Sequence, residues 1–351
     1  MFIVEWLKSH FSTRSVVTNR IYLDYAAAAP MSPAAKAAMM PFLDDTFGNP
    51  GGIHFEGVAA KRALEEFRVQ VARSLEVQPS GVVFTSGGTE SNNLAIMGVV
   101  EAERKKGRSY ESMRILSTKL EHPATLRSLE ALAKQGVHVV YLEVTPQGKL
   151  VLDSLTSQLD ELTVLVTLAY VNSEVGVITD CRGVRRILDT AKKQFGTTVL
   201  LHIDAAQAPL WLPCSLSRLG ADLLSLDGGK CGGGKGVGAL VMQHGVRISP
   251  LLYGGGQEMG LRPGTEPVHL AAAFATALQE AQAGQVARAT TVTKVRDYCM
   301  AEINRRIPGA ILNGPRGDER VANNVHVSIP GLDAEFAVIT LDVHGIAAST
   351  K

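Results

Sequence analysis

Apolar, β-branched runs alternate with amphipathic stretches along the chain from about residue 80 onward. Helical patterns separate most of these runs, for example at residues 90–106 and 182–195. Near-continuous apolar strands that alternate with helices indicate an α/β fold, with a mostly parallel sheet and helices on both of its faces. The runs that predict strands are residues 81–87, 113–119, 137–144, 162–171, 197–206, 221–227 and 237–242.

The pattern changes after residue 268. A long helix leads to a charged helix, then to a strand at 323–329 and a last helix at 333–345. This order predicts a large domain over residues 21–267 and a smaller C-terminal α/β domain over 268–351. We expect the small domain to be incomplete, because it has little sheet of its own. Residues 1–20 are interpreted as an N-terminal extension, since they lack the basic start and small-residue cleavage site of a secretory signal.

Composition narrows the classes of function. The 351 residues are 46% hydrophobic and 20% charged, with a net charge of +1. No basic excess indicates a nucleic-acid partner, and no apolar run approaches the roughly 20 residues of a membrane span. The four cysteines have no paired spacing, which argues against a disulfide framework and against a zinc site. We therefore expect a cytoplasmic protein without a metal.

Polar residues stand at the ends of five predicted strands. They are "SGGTESNN", "EHPAT", "NSEVG", "DAAQ" and "DGGK". Ligands of parallel α/β sheets bind beyond the carboxyl ends of the strands. We expect these five strand ends to converge on one site.

Lys230 stands between two glycine clusters in "SLDGGKCGGGKG", residues 225–236. A nucleotide phosphate loop is one interpretation, because residues 229–236 nearly fit the pattern G-x-x-x-x-G-K-[ST]. Two features disagree with it. Gly236 stands where a hydroxyl should hold magnesium, and residues 237–242 predict a strand where the phosphate-binding helix should begin.

The second interpretation is a lysine that forms a Schiff base with pyridoxal phosphate (PLP). That chemistry needs an amine at a strand end, a carboxylate at the ring nitrogen and a cup for the phosphate. Asp204 ends the preceding strand, and Gln207 lies within reach of the ring's phenolic oxygen. Residues 86–91 form a glycine turn that opens a helix, where amides and the Thr89 hydroxyl can hold the phosphate. Each feature alone is ordinary, but together they favour the PLP interpretation.

The chain resembles the cysteine desulfurases, which are fold-type I PLP enzymes of the class V aminotransferase group. The resemblance runs from about residue 21 to the end. The matching segments are "YLDYAAAAP", "FGNPGGIHFEG", "VVFTSGGTESNNLAI", "EHPAT", "YVNSEVGVITD", "HIDAAQAP", "GGKCGGGKGVGAL", "GGGQEMGLRPGTEPV" and "NNVHVSI".

The resemblance implies a role for each matching residue. Lys230 and His122 are the implied catalytic residues: the lysine bonds to the cofactor, and the imidazole stacks on its ring and takes part in proton transfer. The other implied cofactor contacts are Gly88 and Thr89 at the phosphate, Thr265 at the phosphate across a dimer interface, Asn172 and Gln207 at the phenolic oxygen, and Asp204 at the ring nitrogen.

The resemblance also implies a reaction and partners. Sulfur is taken from L-cysteine, leaving L-alanine, through a persulfide on an enzyme cysteine. It then passes to an acceptor protein for iron–sulfur cluster assembly or thiolation. A homodimer is implied as well. The alternatives are another fold-type I PLP enzyme, such as a selenocysteine or cysteine lyase or an aminotransferase, and a degenerate homologue that acts as a binding partner.

Two positions beside the lysine depart from the family pattern. Asp227 and Gly229 stand where the family carries a hydroxyl and a histidine that help to hold the phosphate. An aspartate there repels the phosphate unless it is protonated or turned away. One lost donor costs roughly 1–3 kcal/mol. We therefore expect weaker PLP binding than is usual in the family, but not its loss.

The persulfide cysteine of the family lies just after a segment like 345–351, followed by an arginine that binds the substrate carboxylate. The sequence given reaches only Lys351, and none of its cysteines stands at the nucleophile's position. In an extended loop, the side chain of Cys231 would point away from that of Lys230. We therefore expect this chain to bind PLP without useful desulfuration.

Overall fold

The computed structural model describes residues 20–350, so residues 1–19 of the predicted extension lie outside the described part. The strands found there are β1 Ile21–Tyr22, β2 Val82–Thr85, β3 Arg114–Ser117, β4 His138–Tyr141, β5 Thr163–Ala169, β6 Leu200–Asp204, β7 Leu223–Asp227, β8 Gly238–Met242, β9 Ile311–Leu312, β10 Val327–Ser328 and β11 Ile346–Ala347.

The helices of the same range alternate with these strands. They are α1 Pro33–Met39, α2 Phe55–Leu75, α3 Gly88–Lys105, α4 Pro123–Lys134, α5 Leu152–Gln158, α6 Cys181–Phe195, α7 Leu216–Leu219, α8 Gly228–Cys231, α9 Val268–Arg306 and α10 Ala334–Val343. None of the helices in residues 20–350 is both long enough and apolar enough to cross a bilayer.

Seven strands form the central sheet in the order β2-β8-β7-β6-β5-β3-β4. All neighbours are parallel except β8, which runs antiparallel to both β2 and β7. The mostly parallel sheet predicted from the apolar runs is confirmed. The reversal at β8 follows from its short connection to β7, because a parallel pair needs a crossover of a dozen or more residues.

Helices cover both faces of the sheet, as predicted. On one face, Leu94 and Val99 of α3 and Leu129 of α4 pack against apolar strand residues. On the other face, α2, α6 and α9 form a larger core with the strands, to which Leu188 and Phe274 contribute. Strands buried on both faces explain why their sequences are apolar without alternation.

The C-terminal part is dominated by α9, which is one helix of 39 residues where the sequence predicted two. It begins directly after Pro267, and no proline interrupts it. Its first turns join the main core, whereas Arg296 donates to the Arg320 backbone near the β9–β10 hairpin. The predicted strand at 323–329 is reduced to β10, and β11 pairs with β1. The domain boundaries at residues 20/21 and 267/268 stay predictions.

Candidate active site

The ends of β2, β3, β5, β6 and β7 meet at a cavity of about 160 Å³ at the carboxyl edge of the sheet. Its lining residues are Gly88, Thr89, Asn92, Leu120, His122, Ala169, Val171, Asn172, Ser173, Asp204, Ala206, Gln207, Asp227 and Lys230. All of the predicted site residues except Thr265 are among them. Thr265 is exposed and lies outside the cavity. The predicted strand ends therefore do meet at one cavity, and the role of each residue stays a prediction.

The turn between β2 and α3 brings backbone amides to the cavity. Gly87 has φ 148° and ψ −175°, a conformation that is open essentially to glycine alone. The turn is held by Glu90, whose carboxylate accepts from the Ser86 amide at 2.7 Å. The first amides of α3 therefore face the cavity at the positive end of the helix dipole.

Asp227 occupies part of this helix end. Its Oδ2 accepts from the Gly88 amide at 2.9 Å, and its Oδ1 accepts from the Gly229 amide at 2.8 Å. A Cβ at position 229 would lie 3.1 Å from Asp227 Oδ1. The aspartate and the glycine, the two departures from the family pattern, therefore form one structural unit. The carboxylate points into the predicted phosphate cup and is not turned away from it.

Lys230 lies on α8, a single helical turn that ends at Gly232 with φ 85°. The extended loop considered for this segment is therefore wrong. The lysine is half-buried and lines the cavity, and it makes no ion pair within residues 20–350. An amine in this setting is available for covalent chemistry with a carbonyl. Strand β8 follows the glycine loop, which removes the helix that a nucleotide phosphate loop requires.

Cys231 lies next to Lys230 in sequence but outside the cavity lining. Its side chain is buried, and its Sγ is 3.7 Å from the Gly228 carbonyl oxygen. Burial raises the pKa of the Cys231 thiol to about 12, and the charge of Asp227 adds to this effect. Since the thiolate is the reactive form of cysteine, Cys231 is inert at neutral pH.

Asp204 is held by two donors. Asn92 Nδ2 lies 2.6 Å from Asp204 Oδ2, and the Ala206 amide lies 2.9 Å from Asp204 Oδ1. These contacts fix the carboxylate at the end of β6, inside the cavity. Asn92 was missed in the sequence, although it stands one helical turn after Gly88 and therefore on the same face of α3.

His122 is the N-cap of α4, and its Nδ1 accepts from the Ala124 amide at 3.1 Å. A neutral ring that accepts at Nδ1 carries its proton on Nε2. The Asn172 side chain is engaged with the backbone, since its Nδ2 donates to Leu120 O and its Oδ1 accepts from the amides of residues 174 and 175. Gln207 Nε2 donates to Ala26 O at 2.8 Å. Each amide NH₂ group keeps a second hydrogen for a ligand.

Two buried titratable groups lie behind the cavity. Burial is the main cause that raises the pKa of Glu121 to about 8, and the charge of Asp204 acts in the same direction. The hydrogen bond from Thr118 acts in the opposite direction and lowers this pKa. Glu121 Oε2 is buried and has no hydrogen-bond partner. Burial lowers the pKa of His202 to about 4, so its neutral ring bridges Thr167 and Ser225 across three strands.

The class-V aminotransferase model matches residues 21–350. The chain belongs to the class-V aminotransferase family. Among curated proteins, cysteine desulfurase IscS of Dictyoglomus turgidum is 37% identical over 332 residues, which are 95% of this chain and 81% of the relative. The motif resemblance to cysteine desulfurases is thereby confirmed.

Solved structures agree with this family. A NifS-like protein superposes with a TM-score of 0.89 at 33% identity, covering 95% of this chain and 88% of its own. SspA in complex with cysteine superposes with a TM-score of 0.77 at 26% identity, covering 94% and 89%. The fold-type I architecture expected from the sequence is shared with both.

The cavity fits a pyridoxal cofactor at two of its three attachment points. Lys230 presents an amine, and Asp204 presents an oriented carboxylate for the ring nitrogen. The buried Asn92 Oδ1, which has no hydrogen-bond partner, adds an acceptor beside Asp204. The third attachment point, the phosphate cup, does not fit the cofactor. Its Gly88 amide already donates a hydrogen bond to Asp227.

Proposed function

We propose that this chain is a PLP-dependent cysteine desulfurase that takes sulfur from L-cysteine and releases L-alanine. The observation that carries the proposal is that the Lys230 amine and the Asp204 carboxylate line the same cavity. Support comes from the 37% identity to a cysteine desulfurase and from the likeness to SspA, whose solved structure contains cysteine.

Each group of residues in the cavity has a separate role in the proposed reaction. When bound, PLP withdraws electrons from the α-carbon of an amino acid. Asp204, oriented by Asn92, would hold the ring nitrogen of the cofactor, and its negative charge would favour the protonated form of that nitrogen. The Lys230 amine bonds the cofactor and moves protons at its Nζ, and His122 holds a transferable proton at Nε2. Leu120 and Val171 contribute apolar walls that limit the access of water.

The proposal is tested by adding L-cysteine to the PLP-loaded protein while the absorption spectrum and alanine release are followed. We expect a spectral change on adding L-cysteine, and its loss in Lys230→Ala, together with the loss of the borohydride-reducible adduct. An adduct that persists on another lysine would contradict the assignment of Lys230. An absorption spectrum that does not change on adding L-cysteine would contradict the proposal that L-cysteine is the substrate.

The sulfur step needs an accessible thiolate near the substrate. No cysteine of residues 20–350 lines the cavity, and the thiol of Cys231 is buried. We therefore expect L-cysteine to bind at the proposed site with little alanine release by this chain, and we expect the rate in Cys231→Ser to equal that of the wild type. A selective loss of alanine release in this variant would make Cys231 the sulfur acceptor.

A homodimer is part of the proposal. Phe47, Ile53 and Phe55 are 72%, 98% and 84% exposed, and Tyr253 is 86% exposed. Large apolar side chains exposed together mark interaction surfaces. Thr265 is exposed on a neighbouring loop, which Arg262 ties to Glu90 at the start of α3. This position suits a contact with a partner's cavity.

Sedimentation tests the dimer. We expect the wild type to sediment as a dimer and Ile53→Asp to shift towards a monomer, because a charge would be buried at the interface. Thr265→Ala should keep the dimer but release PLP faster. A monomeric wild type with full PLP affinity would contradict the proposal. A sulfur-acceptor protein for iron–sulfur cluster assembly or thiolation, and a cytoplasmic location, stay predictions.

A further inference from the structure

The start of α3 already carries an anion. The Asp227 carboxylate accepts from Gly88 with one oxygen and from Gly229 with the other, at 2.9 and 2.8 Å. The Gly88 amide stands at the beginning of the 18-residue helix α3, where negative charge is stabilised by the helix dipole, and the Gly229 amide belongs to the single turn α8 that Asp227 caps. The carboxylate therefore satisfies the donors that would otherwise favour a phosphate group.

The charged groups of the cavity also disfavour a phosphate beside Asp227. Among its lining residues, Asp204 and Asp227 are carboxylates and Lys230 is the one amine, and no arginine is present. A dianionic phosphate next to Asp227 would meet like charge instead of the donors it prefers. To bind at Gly88 it would have to displace Asp227, so that one anion replaces another on the same amide.

Displacing the carboxylate would also disturb α8. Asp227 is the N-cap of that helical turn, and its Oδ1 contact with Gly229 would be lost if the side chain rotated. The turn carries Lys230, so the position of the amine depends on the same carboxylate. Retaining Asp227 in place therefore favours a bound aldehyde whose phosphate does not reach the Gly88 amide.

We propose that Asp227 acts as a built-in substitute for part of the cofactor's phosphate, so that this pocket gains little affinity from phosphorylation of pyridoxal. The inference rests on the proposed PLP function and specifies which form of the cofactor the site accepts. Unphosphorylated pyridoxal binds with an affinity close to that of PLP. Replacing Asp227 restores the preference for the phosphate.

The experiment compares dissociation constants for PLP and pyridoxal in the wild type, Asp227→Ser and Asp227→Asn. Serine is a good N-cap, so α8 keeps its cap without the charge. Asparagine keeps the shape of the side chain. Asp318→Ser removes the same charge at an exposed site outside the cavity and serves as the control. Binding is followed by absorbance titration, and the adduct at Lys230 is identified by mass spectrometry after borohydride reduction.

We expect the wild-type affinities for the two aldehydes to lie within about 10-fold of each other. Asp227→Ser should tighten PLP binding about 10- to 100-fold, the gain of a charge-assisted hydrogen bond, and change pyridoxal binding by less than about 3-fold. Asp227→Asn should shift in the same direction, and Asp318→Ser should not. Inorganic phosphate should weaken PLP binding in Asp227→Ser more than in the wild type, and it should leave pyridoxal binding unchanged in both.

Equal PLP affinity in the wild type and both Asp227 variants, with an adduct at Lys230 in each, would overturn the inference and leave the proposed function intact. Absence of an adduct with either aldehyde in all variants would overturn the proposed function and the inference together. The two failures are therefore distinguishable.

Discussion

Asn92 Nδ2 lies 2.6 Å from Asp204 Oδ2, so a buried amide of α3 orients the carboxylate at the end of β6. Asn92 is 1% exposed, and its Oδ1 has no hydrogen-bond partner. The amide therefore contributes to the fold mainly through its bond to Asp204. The contact joins α3 to β6, one of the central strands on which α3 packs.

Replacing Asn92 by alanine should lower the free energy of unfolding by about 1–3 kcal/mol, because a partly buried carboxylate loses a donor. Urea denaturation of the cofactor-free protein measures this difference. Asn93→Ala is the matched control, since Asn93 bonds only to neutral groups, Thr89 O and Ser128. An Asn92→Ala loss no larger than that of the control would contradict the role of Asn92 at Asp204.

Glu121 should make stability fall with rising pH. Burial raises its pKa to about 8 in the folded chain, from 4.5 when unfolded, so the folded state binds its proton more tightly. This contribution is fully present below about pH 4.5 and is lost as the pH rises towards 8. The slope for one such group is at most about 1.4 kcal/mol per pH unit.

Glu121→Gln isolates this contribution, because it keeps the acceptor for Thr118 and removes the titration. Urea unfolding of both proteins at several pH values from 5 to 8.5 or so gives the difference curve. We expect the variant to gain stability relative to the wild type as the pH rises. Parallel curves would show that Glu121 titrates normally.

Thiol labelling should distinguish the four cysteines in the native protein. Cys181, Cys214 and Cys231 are buried, and Cys299 is exposed. Burial raises the pKa of both Cys181 and Cys231 to about 12, which removes the reactive thiolate. Iodoacetamide at pH 8 or so should therefore modify Cys299 first, as read by peptide mass spectrometry. Rapid labelling of Cys231 in the folded protein would show that α8 opens.

The buried pair of Arg68 and Glu258 should be the most sensitive contact outside the cavity. Both nitrogen–oxygen distances are 2.7 Å, and the side chains are 7% and 1% exposed. Glu258 also accepts from the Phe84 amide in β2, and its backbone has φ 46°. The pair therefore fastens a strained loop to the strand that leads into the cavity.

Glu258→Gln should destabilise the fold by about 3–5 kcal/mol, because the buried Arg68 loses its buried carboxylate and keeps only the half-exposed Glu65 and the Val82 carbonyl as partners. Arg68→Met should have a similar effect, and the double variant should lose less than the sum of the two. A thermodynamic cycle from urea unfolding measures the coupling. Additive effects would show that the two side chains act independently.

The sheet and the location of the site could be predicted because both depend on local patterns. Buried strands are apolar over a few residues, and the ends of parallel strands meet at one edge. The contact of Asp227 with Gly88 could not be predicted, since it depends on how β7 and α3 pack across β8. Arg68 and Glu258 are 190 residues apart, and neither has a local signal. The change in composition within α9 predicted two helices. Such a change does not interrupt a helix, and α9 contains no proline that would.

The order of strands has a consequence for synthesis on the ribosome. Within residues 20–350, β2 lies at one edge of the sheet and its single strand neighbour is β8. Gly88 and Asp227 are separated by 139 residues, which take roughly 7 to 28 seconds to translate. During that interval the backbone groups of the apolar strand β2 lack their β8 partner. They can therefore bind a chaperone or pair with a strand of another chain. The side of the cavity that begins at β2 is therefore completed last, when β8 emerges and closes the sheet.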